Sequence, residues 1–129
     1  MYIIGDIGNT ETKIWLFNNK KKLLKKKILT TGNIKNYNIK NDLKFLHIHR
    51  KKIKKIIFCS VVPNVFKNIK ISIKKELRLE VKELKQYNLK KILKIDVNMK
   101  QVGSDRLANA ISVINNKDNF IILDFGTAT

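Results

Sequence analysis

Two aspartates stand in the same local context at opposite ends of this sequence. Asp6 closes the apolar run Tyr2-Ile3-Ile4-Gly5 and is followed by Ile7-Gly8-Asn9-Thr10. Asp124 closes Phe120-Ile121-Ile122-Leu123 and is followed by Phe125-Gly126-Thr127-Ala128. An aspartate at a strand end projects its carboxylate toward whatever lies above the sheet. The glycine two residues on lets backbone and ligand approach closely. Asn9 and Thr10 add short donors and free N–H groups, and phosphate needs several converging donors. Lys13 can reach back as a compact positive charge. Asp6 would hold Mg²⁺, or a water on it, because hard cations prefer oxygen. Taken singly, each element also reads as an ordinary turn beside a strand. Their repetition favours two like domains facing each other, each gripping phosphate. The second would begin near residue 119.

A third element is Val102-Gly103-Ser104-Asp105-Arg106-Leu107-Ala108-Asn109-Ala110. An acid in a first helical turn suits the helix dipole, so Asp105 has a structural reading, with Arg106 as its surface partner. The functional reading makes Asp105 a general base and Arg106 a clamp for a substrate carboxylate. The sequence holds no G-x-x-x-x-G-K-[ST] and no G-x-G-x-x-G, so the common nucleotide-loop classes lack support.

The elements that must position these residues follow from periodicity. Tyr2–Ile7 and 13–17 read as hairpin strands, and Lys21–Thr30 as a third. Residues 32–41 read as loop, and Asp42–Lys55 as a helix from Leu43, Leu46, Ile53 and Ile56. Ile56–Val62 is a buried strand stopped at Pro63, Val65–Leu77 an amphipathic helix, and Leu79–Leu84 another strand. Gly103–Ile114 is a helix with Leu107, Ala110, Ile111 and Ile114 on one face. Phe120–Leu123 is a final strand. The order predicts an α/β fold with a mixed sheet covered by helices. Cys59, Trp15 and Phe17 are expected in the core. His47 and His49 have no third ligand nearby, so no metal site is expected there.

With 129 residues, 43% hydrophobic and 8% aromatic, the chain is long enough for one packed domain. No apolar run is long enough to span a membrane. The start lacks a basic leader, and a single cysteine allows no internal disulfide, so a cytoplasmic location is expected. The formal charge is +18, from 28 Lys+Arg against 10 Asp+Glu. That balance raises a nucleic-acid partner as a rival reading. Yet arginine occurs only at Arg50, Arg78 and Arg106, and lysine, isoleucine and asparagine are over-used together, as A/T-rich codons would produce. Specific readers favour arginine forks and stacking aromatics, so the lysines read as a solvated face and no specific nucleic acid is expected.

These elements, in this order, resemble the type III pantothenate kinase family, which shares the ribonuclease H-like fold of actin, sugar kinases and heat-shock ATPases. The resemblance rests on Asp6-Ile7-Gly8-Asn9-Thr10 with Lys13, Ser60-Val61-Val62-Pro63, the 102–109 stretch, and Leu123-Asp124-Phe125-Gly126-Thr127-Ala128-Thr129. It implies ATP-dependent phosphorylation of the primary hydroxyl of pantothenate, the first committed step toward coenzyme A. It also implies that Asp6, Ile7, Gly8, Asn9, Thr10, Glu11, Thr12 and Lys13 form a first phosphate loop, and that Thr127 contacts ATP phosphate. Asp105 would activate the hydroxyl as proton acceptor, and Gly103, Ser104, Asp105 and Arg106 would bind pantothenate. Asp124 would bind a monovalent cation, K⁺ or NH₄⁺, and Mg²⁺ would accompany ATP near Asp6. Residues 1–118 would be the first actin-like domain and 119–129 the opening of a second, with a homodimer in the full-length form. There are departures. Asp96 stands where an aromatic is usual, Met99 replaces a proline after Asn98, and Ser104 replaces the commoner alanine. Family chains are about twice as long, so these residues alone are expected to have little or no kinase activity. The rival within the family is a non-catalytic accessory protein.

Overall fold

The structure, a computed structural model, describes residues 1–35, 39–114 and 118–124. Period-2 alternation builds its centre. In β1 (Tyr2–Ile7), Ile3, Gly5 and Ile7 face inward while Tyr2, Ile4 and Asp6 are half-buried. β2 (Glu11–Phe17) repeats the pattern, with Thr12, Ile14 and Leu16 inward. β3 (Leu23–Thr30) completes an antiparallel meander. β4 (Lys55–Ser60) lies parallel to β1, and β5 (Lys82–Glu83) parallel to β4. The sheet order is β3-β2-β1-β4-β5, the mixed α/β sheet expected.

One face of this sheet carries the core. Ile3, Ile7, Ile14, Leu16, Ile56 and Phe58 meet the buried stripe Val65, Ile69, Ile73 and Leu77 of α3 (Pro63–Leu77). That stripe recurs every four residues, so it lies along one side of the helix. Pro63 sits in the first turn, where its missing N–H costs nothing, and the helix stops at Arg78 in the left-handed region (φ 54). Gly5 and Phe58 are neighbours across β1 and β4, and the Phe58 ring occupies the space a side chain at position 5 would need.

The differences from sequence expectation have physical causes. Trp15 and Phe17 are half-buried on the sheet face opposite Ile14 and Leu16, because alternation puts neighbours on opposite faces. Cys59 shares that second face, half-buried beside Asp6 rather than in the core. The single helix expected over Asp42–Lys55 is instead α1 (Ile39–Asp42), α2 (Lys44–His47) and a 3₁₀ turn at Arg50–Lys52. A continuous helix would stack Lys51, Lys54 and Lys55 as like charges at i,i+3 and i,i+4, and β4 already claims Lys55. The stretch 32–41 expected as loop is instead entered by the 3₁₀ turn Thr31–Lys35 and by the start of α1 at Ile39. Phe120–Leu123 forms no strand: Ile121 is 92% exposed, and no described strand pairs with it. A strand needs a neighbour for its backbone groups. The expected strand at Leu79–Leu84 shrinks to the two residues of β5. The last helix, α4 (Ser104–Val113), forms as expected, with Leu107 buried but Ile114 42% exposed.

Candidate functional site

The parallel pairing sets where a site can lie. β1 and β4 end at the same edge, where Ile7 pairs with Ser60 and the Val61 N–H donates to the Ile7 carbonyl at 3.0 Å. Open α/β sheets bind ligands in the crevice beyond the carboxyl ends of such strands. Here that edge carries Asp6, the Gly8–Thr10 turn and the first turn of α4.

The turn is built by β1 and β2. Ile7 pairs with Thr12, and the Gly8 N–H donates to the Glu11 carbonyl at 2.9 Å. Thr31, just past the end of β3, straps it: its hydroxyl donates to the Gly8 carbonyl at 2.8 Å, and its N–H donates to the Thr10 carbonyl at 2.8 Å. Thr12 is fully buried, with its hydroxyl 3.0 Å from that of Thr31. The side chains of Thr12 and Ile7 therefore support the turn from beneath, while Asn9, Thr10 and Glu11 are exposed. Lys13 is the cross-strand partner of Asp6, and its Nζ lies 3.5 Å from Glu11 Oε2. A pair this exposed is worth little to stability and leaves the ammonium free to exchange partners.

α4 is pinned to the same edge by Ser104. The Ser60 N–H donates to Ser104 Oγ, and Ser104 Oγ donates to the Ser60 carbonyl, at 2.6 and 3.1 Å. Ser104 is fully buried, so its side chain fixes the helix start. Asp105 Oδ1 accepts from the Arg106 N–H at 2.8 Å and folds back over Gly103, where a Cβ would collide with it. Gly103 is thus needed for a close approach, since its φ of −59° suits any residue. One turn along, Asn109 Nδ2 donates to Asp124 Oδ2 at 2.9 Å. Arg106, Asn109, Ile122 and Asp124 line a cleft of about 350 Å³.

Electrostatics ties the three acids together. Burial pushes the Asp6 carboxyl above its ordinary range. Lys13 opposes this, and the charges of Asp105 and Asp124 add to it. Cys59 feels the same field: burial, then Asp6, Glu83 and Asp105, push its thiol up to about 12. The Ser104–Ser60 bonds bring α4 to the end of β1 and β4, and the Asn109–Asp124 bond holds Asp124 against α4, so the carboxylates of Asp105 and Asp124 lie within electrostatic reach of Asp6. No group of three acid, thiol or imidazole side chains among the described residues could hold an ion unaided. A cation here would need phosphate oxygens or water as further ligands, which is how Mg²⁺ is usually held. Thr127 lies outside the described residues.

Three contributors were missed from the sequence. Asn109 was signalled, since it sits four residues after Asp105 on the same helix face. Cys59 was signalled by its parity with buried Phe58. Thr31 carries no local signal, because its role depends on how β3 returns.

Comparison with known proteins shows the family. The family model of type III pantothenate kinase matches residues 2–129. A type III pantothenate kinase of Pelagibacter ubique is 57% identical over 129 residues, covering 100% of this chain and 52% of the relative. Another, from Finegoldia magna, is 28% identical over 131 residues, covering 98% of this chain and 50% of the relative. A third, from Legionella pneumophila, is 36% identical over 84 residues, covering 60% of this chain and 31% of the relative. The chain spans about half the length of the curated relatives it matches across its whole length. Its mixed five-stranded sheet is consistent with the actin-like ATPase fold, and the chain belongs to the type III pantothenate kinase family.

Proposed function

We propose that this chain supplies the first phosphate loop and the substrate helix of an enzyme that phosphorylates pantothenate with ATP, acting in the cytoplasm. The observation that carries the reading is the convergence of Asp6, Asp105 and Asp124 at the carboxyl edge of β1 and β4. Phosphoryl transfer asks little covalent work of a protein; it needs in-line positioning and charge neutralisation.

In this reading the ATP phosphates lie on the Asp6–Lys13 hairpin. Gly8, Asn9 and Thr10 offer backbone and side-chain donors, and Lys13 offers its ammonium. Ile7 and Thr12 hold the turn's shape, and Glu11 holds Lys13 until phosphate takes it. Asp6 would hold Mg²⁺ together with phosphate oxygens, and Asp124, oriented by Asn109, would hold the K⁺ or NH₄⁺. These cations supply neutralisation of the phosphate charge. Asp105 accepts the proton of the pantothenate hydroxyl. Arg106 clamps the pantothenate carboxylate, Gly103 gives the substrate and the Asp105 carboxylate room, and Ser104 fixes the helix that carries them. Thr127 completes the phosphate contacts. Residues 1–118 form the first domain and 119–129 begin the second, and a homodimer is the assembled form.

The test joins this chain to the second half of the Pelagibacter ubique relative and follows pantothenate-dependent ADP release. Asp105→Asn should lower kcat by about 10²-fold or more, as loss of a general base does. Normal turnover by that variant would remove Asp105 from the role. ATP binding without turnover by the parent fusion would favour an accessory protein instead.

A further inference from the structure

The opposite edge of the sheet carries a second concentration of charge. Two clefts of about 340 and 510 Å³ lie side by side there, sharing Leu79 and Glu80 as walls. Lys54, Lys55, Lys70, Lys74, Arg78 and Lys82 line the pair. Among the described lining residues Glu80 is the one acid; it is 73% exposed and 3.9 Å from Lys82. Lys55 and Lys82 both place their ammonium groups over the Tyr87 ring, at 5.6 and 6.0 Å from its centroid. Two cations drawn to one ring repel each other, and an anion between them relieves that repulsion.

The shape of the array narrows the partner. Lys70, Lys74 and Arg78 follow at one-turn intervals along α3 and its cap, a row of about 12 Å at helical rise. The row then continues to Lys82, Lys55 and Lys54, longer than the phosphate chain of one nucleotide. A linear polyanion matches six cations in a groove. No exposed large apolar side chain among the described lining residues offers itself to lipid. Tyr87 is the one aromatic among the described lining residues and already holds two ammonium groups near its ring, so a stacking platform for sequence reading is not provided. The groove is also remote from the candidate kinase site. Lys55 pairs with Tyr2 and Cys59 with Asp6, which separates the two edges by about 13 Å along the strands.

We propose that this groove binds the phosphate backbone of single-stranded nucleic acid, without reading sequence and independently of the candidate kinase site. Chain-wide charge alone would attract polyanions diffusely, so the test must separate the groove from the net charge. The probe is a fluorescein-labelled oligothymidylate of about 20 nucleotides, longer than the site sizes usual for such grooves. Its affinity is followed by anisotropy at several salt concentrations. Six phosphate contacts predict a log–log salt slope of about −4. The variant Lys70→Gln/Lys74→Gln/Arg78→Gln should bind at least about 10-fold more weakly, with a slope near −2. The exposed single change Lys82→Glu should weaken binding in the same direction without touching α3. The control Lys20→Gln/Lys22→Gln/Lys26→Gln removes equal charge elsewhere and should leave the slope unchanged. Equal losses in the control and the groove variant, or a parent slope shallower than about −1, would overturn the proposal.

Discussion

Gly103→Ala should cripple catalysis while barely affecting folding. The backbone at 103 (φ −59°, ψ 144°) accepts alanine without strain. Losing the glycine from the helix N-cap position costs about 1 kcal/mol or less. Around the new methyl, Val61 Cγ1 at 3.6 Å is an ordinary neighbour, but Asp105 Oδ1 is not and must rotate away. That rotation breaks the bond from the Arg106 N–H, which holds the carboxylate at 2.8 Å. A displacement of about 1 Å in a reacting group can cost about 10²-fold in rate. In the fusion with the relative's second half, kcat/KM should therefore fall about 100-fold. The melting temperature should fall by no more than about 5 °C. Because the methyl acts through Asp105, adding it to Asp105→Asn should cost little more. Wild-type turnover in Gly103→Ala, or fully additive losses in the double variant, would refute this account of how Asp105 is aimed.

Three further outcomes follow from the same geometry. Gly5→Ala drives a methyl into the fully buried Phe58 ring, so urea denaturation should show a loss of about 1–3 kcal/mol, partly recovered by Phe58→Leu; an unchanged midpoint would contradict the packing. For Asp6, a raised folded pKa means that the folded state holds a proton the unfolded chain releases first. Stability is then highest below the ordinary aspartate value of about 3.9 and declines as pH rises through the folded value. Asp6→Asn should accordingly raise the melting temperature at pH 7, and the gain should vanish in melts below about pH 3.9. The Cys59 thiol, at about 12, should react with iodoacetamide at pH 8 far more slowly in the folded chain than in denaturant; equal rates would show that burial and the nearby acids do not hold the thiol protonated.

Much of this architecture was legible from local pattern. The alternation in Tyr2–Ile7, the four-residue stripe of α3 and the stop at Pro63 are properties of neighbouring residues, and the structure follows them. Asp6, Asp105 and Asp124 could likewise be singled out from their strand-end and helix-start contexts. What escaped was non-local. Which face of β2 meets the core depends on α3 arriving there, so Trp15 and Phe17 were misplaced while Ile14 and Leu16 lie inside. The bond from Thr31 to the Gly8 turn spans 23 residues, and the Ser104–Ser60 pin spans 44. No local window contains either. The Phe120–Leu123 run has strand composition, but composition cannot provide the neighbour that a strand pairs with.

The most direct measurement is the titration of the Asp6 carboxyl carbon by NMR in the parent chain, in Asp105→Asn and in Asp124→Asn. The account predicts a value above the ordinary aspartate range in the parent, and a lower value in each variant as one neighbouring negative charge is removed. An Asp6 that titrates normally and ignores both substitutions would mean that Asp105 and Asp124 do not lie close enough to act on it.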